Sequence, residues 1–305
     1  MKAIELDENL MIAKSMLGRT YLELGEYDKA MDIYIDNYNQ AEINADKKSM
    51  GRGLGDIGIT YLMLGNNYEK AREYFARSLD LVKEVNDKSA IASALNRLGF
   101  IHNERGDYDK QIINLNRSLK IFEELADDGG IGITLCNFSQ ISVQMGFFNE
   151  ALEYAKRAMQ LFEKIDYRRE ISICLYQFSQ IYYYIGDYKK AMKYIKKAQL
   201  IKKQIGNLEF KNASLLLLYL IDKQQNLDYD KNKIHSIIKE RIHTDFDSNF
   251  TYYQLLEDTS YLETAYNQVQ KKADNLEPDV AAKSLSYPIP KAIVEEWEKV
   301  TTVKN

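Results

Sequence analysis

The chain has 305 residues, 45% hydrophobic and 28% charged, with three prolines and a formal net charge of −4. That balance excludes a disordered polymer and suits a helix-rich chain, and a pI near 5.6 gives no general attraction to nucleic acid. No apolar run approaches the roughly 18 residues of a membrane span, no basic-then-apolar leader opens the chain, and two cysteines make no disulfide framework. The expectation is a cytoplasmic protein without a membrane span.

The first periodic stretch, from Met11, ends at a corner, Gly25-Glu26-Tyr27, that then returns through the chain. It recurs as Gly65-Asn66-Asn67-Tyr68, Gly106-Asp107-Tyr108, Gly146-Phe147-Phe148 and Gly186-Asp187-Tyr188. Consecutive glycines stand 40, 41, 40 and 40 residues apart, and one inserted Asn accounts for the 41. On either side of each corner the apolar residues follow a helical period, so each unit reads as two antiparallel helices, A and B, with the glycine ending helix A. In the unit from Asp87 to Leu125, Ile91, Leu95, Leu98 and Ile101 share a face of helix A, and Ile112, Leu115, Leu119 and Phe122 share a face of helix B.

Asp46, Asp87, Asp127 and Asp166 are expected to cap the A helices. Small residues mark close helix approach: Gly18, Gly58, Gly99, Ser139 and Ser179 in helix A, and Ala30, Ala71, Ala151 and Ala191 in helix B, with Gln111 departing in the third unit. Upstream of Met11, Ala3-Ile4-x-Leu6 reads as the end of a preceding helix B. The chain is thus expected to begin inside a repeat, either as part of a longer protein or as a half-helix capping the first unit.

After Gly206 the pattern loosens. Lys211 to Gln225 reads as a helix A with Leu215 to Leu218 largely buried, Asn226 replaces the turn glycine, and Lys233 to Arg241 is a shorter helix B. Asp245 to Ser248 reads as a loop, followed by helices over Phe250–Glu257 and Ser260–Leu276, the latter opened by a Ser260-x-x-Glu263 capping box. Leu285 to Pro290 is expected to be extended because of its prolines, leading into an amphipathic helix over Lys291–Val300 with Ile293, Val294 and Trp297.

The run Leu17-Gly18-x-x-Tyr21-x-x-x-Gly25-x-Tyr27-x-x-Ala30 resembles the tetratricopeptide repeat. Its 40-residue period is similar to the extended repeats of Pins-type adaptors and kinesin light chains. Gly51-Arg52-Gly53-Leu54-Gly55-Asp56-Ile57-Gly58 resembles the Gly-Arg-Ala-Tyr-Gly-Asn-Leu-Gly signature of the former, with Asp56 in place of Asn. The resemblance implies an all-α fold, a right-handed superhelix (an α-solenoid) of helix-turn-helix repeats. Residues 1–207 would hold five regular units and the end of a preceding helix, 208–249 a sixth imperfect unit, and 250–305 a degenerate capping region. The tail loosely resembles those closing tetratricopeptide regions of bacterial nucleotide cyclases and signalling ATPases. An alternative expectation is therefore a regulatory region of such an enzyme, its catalytic domain lying upstream.

No stretch carries a catalytic or metal-binding pattern. Gly53-x-Gly55-x-x-Gly58 matches a dinucleotide fingerprint, which functions only after a strand, and none is expected here. Helix glycines each cost about 1 kcal/mol against Ala, so either neighbouring repeats need them or Gly55 lets a bound peptide approach the backbone. His102 takes the place of the repeat Tyr, and His235 and His243 lack a metal spacing. Cys136 and Cys174 occupy near-equivalent places in adjacent units and read as packing residues. Asp127 to Gly130 reads as an inter-unit turn. The lysines at 189, 190, 193, 196, 197, 202 and 203 read as a solvated helix face.

By resemblance to the family, the A helices line a concave face, and the residues directed into it would be Arg19, Arg52, Asp56, Asn96, Arg97, Asn137, Gln140, Tyr176, Gln177, Gln180, Tyr183 and Tyr184. Asn and Gln both donate and accept, so a ladder of them at one per repeat can pair with an extended backbone. The tyrosines offer apolar faces with polar tips. The expected function is non-catalytic binding, without cofactor or metal, of a partner protein or peptide segment, with Arg52 and Arg97 meeting its acidic side chains. Self-association through an open N-terminal end, and return of the Tyr287–Trp297 segment into the groove, are the further expectations; capping of the last repeat is the simpler role for that segment.

Overall fold

A computed structural model describes residues 2–65, 67–206, 211–240 and 244–302, with side chains described from residue 10 onward. Asn66, Arg241, His243 and the boundary expected at 207/208 lie outside the described residues. Among those described are sixteen helices and no strand. They are α1 (Lys2–Glu23), α2 (Tyr27–Ile43), α3 (Lys47–Gly65), α4 (Tyr68–Glu84), α5 (Lys88–Arg105), α6 (Tyr108–Glu124), α7 (Asp128–Gln144) and α8 (Phe148–Lys164). The remainder are α9 (Arg168–Ile185), α10 (Tyr188–Ile205), α11 (Lys211–Gln224), α12 (Lys231–Glu240), α13 (Phe246–Leu256), α14 (Thr259–Ala273), α15 (Pro278–Ser286) and α16 (Pro288–Thr302).

The A-to-B corners follow from glycine. Gly25, Gly106, Gly146 and Gly186 have φ between +78° and +88°, the left-handed region in which a side chain is strained. The B-to-A corners have no glycine: Ala45, Asn86, Ala126 and Asp166 take φ of +49° to +53°. The next residue then caps the following helix. Asp46 accepts from the Ser49 N–H at 3.1 Å, Asp87 from Ala90 at 3.1 Å, and Asp127 from Gly130 at 2.9 Å. Asp166 does not cap α9, because it occupies the left-handed place itself and Tyr167 is the N-cap. The expected turn over Asp127–Gly130 is likewise absent, since the Asp127 cap starts α7 at once and Gly130 sits in that helix against the Phe122 ring. At the other end, Ala3 to Leu6 do not close a separate helix; α1 runs unbroken through them to Glu23.

The helices group into two compact units. One holds residues 2–104 and Lys110–Gly130, the other Arg105–Asp109, Ile131–Gly206 and 211–302. In the first, Gly18 and Gly58 set the helix spacing as expected, whereas a Cβ at Gly99 would make only ordinary contacts at 3.7 Å. A Cβ at Gly58 would lie 2.5 Å from Phe75 Cε1, one at Gly18 2.8 Å from Tyr34 Cε1, and one at Gly51 2.6 Å from Val82 Cγ1. Ala30 and Ala71 are fully buried behind them.

In the second unit serine performs the same role with a hydrogen bond. Ser139 Oγ donates to the Ala151 carbonyl at 3.0 Å and Ser179 Oγ to the Ala191 carbonyl at 2.8 Å, across each A–B seam. Its core runs from Leu135, Phe162 and Cys174 through Ile195, Leu217 and Ile221 to Ile234, Tyr252 and Leu255, and ends on Leu262, Val269 and Ile293.

The C-terminal helices differ from expectation in three places. Phe246–Ser248 is the first turn of α13, capped by Asp245, whose side chain accepts from the Ser248 N–H at 2.7 Å. Asp258, not Ser260, caps α14. The extended Leu285–Pro290 stretch shrinks to Tyr287 (φ −69°, ψ 153°), because Pro288 and Pro290 both fall in the first turn of α16, where a helix has no N–H bond to lose.

This tail packs on two repeat corners. The Tyr287 ring lies 4.8 Å from that of Tyr108, Lys283 Nζ is 2.7 Å from Asp109, and Pro288 sits against Gly146. It also packs on α14 through Ile293 and through Trp297 stacked on Tyr266 at 5.5 Å.

Candidate functional site

In the first unit the cations expected to meet a partner already have internal partners. Arg19 pairs with Glu23 one turn along α1 at 3.4 Å, Arg52 Nη2 is 3.0 Å from Asp87, and Arg97 Nη2 is 3.2 Å from Asp56 Oδ1 on the preceding A helix. Arg97 lies directly over Gly55, so a side chain there would collide with its guanidinium. That is the structural use of Gly55: it makes room for a side chain of the next repeat. Burial raises the Asp56 carboxyl above its ordinary range, against the lowering effect of Arg97. Asn96 is buried on α5.

In the second unit the amides divide. Gln177 is buried and donates to the Cys136 carbonyl at 3.0 Å, tying α9 to α7, and its Oε1 is closed from water without a partner among the described residues. Asn137 is half-buried and Gln140 exposed on α7. Tyr176, Gln180, Tyr183 and Tyr184 meet in a single recess of about 90 Å³, completed by Ala213, Leu216, Leu217 and Leu220 of α11 and by Asp247, Ser248 and Thr251 of α13.

The helices α9, α11 and α13 thus bring an apolar floor, a tyrosine wall and one carboxylate together. The rings hold each other in place: Tyr184 stacks on Phe148 at 5.8 Å and meets Tyr183 edge-on at 5.5 Å. Burial, then the Asp247 charge, keeps the Tyr184 phenol well above its ordinary pKa, and burial followed by Tyr188 pushes Tyr183 up to about 12.

Four of the twelve expected residues converge in this recess. Asp247 was hidden from sequence reading because its segment reads as a loop, and the α11 leucines read only as core. The other candidates resolve plainly. The glycine fingerprint lies within α3, a helix. Cys136 and Cys174 are buried with sulfurs 3.4 Å apart, and the hydrogen bond between them, then burial, holds the Cys136 thiol well above its ordinary pKa. Lys202 leaves the expected solvated face; it is buried, with Nζ 3.5 Å from Ser214 Oγ and 5.6 Å from the Tyr176 ring centre, while the other six lysines of that run are exposed. Among the described residues no helix is long and apolar enough to cross a membrane.

The family model described as tetratricopeptide repeat matches residues 9–84 and 130–204, over the same helix pairs whose corners and seams are set out above. The chain is a tetratricopeptide repeat protein. Solved structures with a similar fold include a Rap protein complexed with competence and sporulation factor (TM-score 0.62, 16% identity, 95% of this chain and 74% of that one). Aspartyl phosphate phosphatase F from Bacillus subtilis matches with TM-score 0.54 at 14% identity, over 98% of this chain and 74% of that one. BtubC (BKLC) from P. vanneervenii matches with TM-score 0.53 at 16% identity, over 72% and 94%. At these identities the likeness is one of fold. No match is found among curated protein sequences.

Proposed function

We propose that this tetratricopeptide repeat protein is a non-catalytic, cytoplasmic interaction module that holds an extended segment of a partner protein or peptide against its A helices. The observation that carries this reading is the recess, where Tyr176, Gln180, Tyr183 and Tyr184 of α9 meet α11 and α13 at an apolar floor. Amides of α7 and α9 support it: Asn137, Gln140 and Gln180 offer donors and acceptors to a backbone, and the tyrosines offer rigid amphipathic area. Arg19, Arg52, Asp56, Asn96, Arg97 and Gln177 belong to the same set of groove positions. Bonds to a neighbouring repeat hold Arg52, Asp56, Arg97 and Gln177, whereas Arg19 pairs within its own helix, so a partner with an acidic segment would have to compete with Asp56 and Asp87 for Arg97 and Arg52. The Rap structure, complexed with competence and sporulation factor, is consistent with ligand capture on this architecture.

The test is panning of phage-displayed random peptides against the immobilised full chain, repeated with a Gln140→Ala, Gln180→Ala variant. Enrichment of a peptide family by the wild type, lost by the variant at unchanged helicity, supports the reading. Enrichment no greater than on an unrelated helical repeat protein, or equal on the variant, overturns it.

A further inference from the structure

The recess has a chemistry of its own. Its volume of about 90 Å³ is well below the roughly 300–1,000 Å³ of pockets that enclose a whole small molecule, so it has room for one side chain. Its floor is Leu216, Leu217 and Leu220, its wall is Tyr176, Tyr183 and Tyr184, and Asp247 is its single charged lining residue among those described.

Asp247 is exposed, in the first turn of α13, and its charge reaches the Tyr183 and Tyr184 phenols. A carboxylate at a helix N-terminus is favourable by itself. Here it also stands beside three aromatic rings over a hydrocarbon floor, and that combination matches one class of side chain.

We infer that this recess is an anchor for the cationic side chain of a lysine or arginine in the bound segment. Its methylenes lie on the leucines, its charged head meets the tyrosine faces, and it pairs with Asp247 at the rim. The tyrosine wall already carries one such contact, since the buried Lys202 ammonium sits 5.6 Å from the Tyr176 ring centre. Lys202 is not among the lining residues, whereas Tyr183 and Tyr184 line the recess together with Asp247. An acidic or neutral side chain would gain nothing from the carboxylate.

The inference rests on the proposed peptide-binding role, and a two-arm experiment separates the two. In the first arm the full chain is titrated with Nα-acetyl-arginine amide and with the neutral Nα-acetyl-norleucine amide, followed by saturation-transfer NMR. The arginine amide is expected to bind the more tightly, with a loss of about ten-fold or more in Asp247→Asn. Asp247→Lys is expected to reverse the preference toward Nα-acetyl-glutamate amide. In the second arm the peptides enriched by panning are expected to share a Lys or Arg whose replacement by norleucine abolishes capture.

Equal binding of the two amides, or indifference to Asp247→Asn, overturns the inference. Enriched peptides without a shared cation also overturn it and leave the peptide-binding role standing. Arginine selectivity without any enriched peptide supports the anchor and overturns the wider role.

Discussion

Arg97 Nη2 reaches back 41 residues to Asp56 Oδ1 at 3.2 Å, and both side chains are 26% exposed. The guanidinium crosses the A helix of the previous repeat above Gly55. A half-exposed pair of this kind contributes modestly, so the double-mutant cycle Asp56→Asn with Arg97→Met is expected to give a coupling of about 0.5–1 kcal/mol by urea unfolding. Gly55→Ala gains about 1 kcal/mol of helix propensity and displaces the guanidinium. The expected net change in stability is within about 1 kcal/mol, with the coupling between Asp56 and Arg97 lost. Because burial raises the Asp56 pKa, the folded state binds its proton more readily than the unfolded state, and stability falls as pH rises through the window above the ordinary carboxylate value. Asp56→Asn removes that slope, which pH-dependent unfolding would detect.

The opposite outcome is expected at Gly58. There a methyl would meet the Phe75 ring, a fully packed side chain 1% exposed, with no room to swing aside. Gly58→Ala is expected to destabilise by about 1–3 kcal/mol despite its better helix propensity. Ser179→Ala, which removes a buried donor to the Ala191 carbonyl, is expected to cost about 1 kcal/mol. Chemical denaturation of the two variants beside wild type checks both.

On the tail, packing should outweigh charge. Tyr287 is 7% exposed against Tyr108, whereas Lys283 and Asp109 are 47% and 55% exposed. Tyr287→Ala is expected to destabilise by about 2–4 kcal/mol, and Lys283→Ala by less than about 1 kcal/mol. A larger effect at Lys283 than at Tyr287 in calorimetry would contradict this ordering.

The cysteine pair should be inert in the native state. Both sulfurs are buried and the Cys136 thiol is held above its ordinary pKa, so little thiolate exists at neutral pH. Neither residue is expected to be alkylated by iodoacetamide in buffer, and both should be alkylated in urea, read by intact mass. Rapid native alkylation of Cys136 would show that the seam between α7 and α9 opens.

The helix pairs and their glycine corners were legible in the sequence because their determinants are local. A glycine at each regular A-to-B corner, a small residue in helix A facing an alanine of helix B in all but the third unit, and a 40-residue spacing act within one helix pair, whatever follows. The same locality let Ser139 and Ser179 be placed at seams before their hydrogen bonds were visible. The misplacements were local too: Asp166 stands one residue before the cap, and Phe246 to Ser248 hide a first helical turn behind polar residues.

The partners of those local elements depended on long-range packing. Arg52 and Arg97 look alike as free groove cations in a linear reading, and only juxtaposed repeats reveal Asp87 and Asp56 beside them. The recess joins residues up to 75 positions apart, from Tyr176 to Thr251, drawn from α9, α11 and α13. Tyr287 meets Tyr108 across an even longer stretch of chain. Sequence periodicity fixes which face of a helix is apolar; which side chain then fills, pairs with or leaves open that face is decided by the neighbours that packing brings to it.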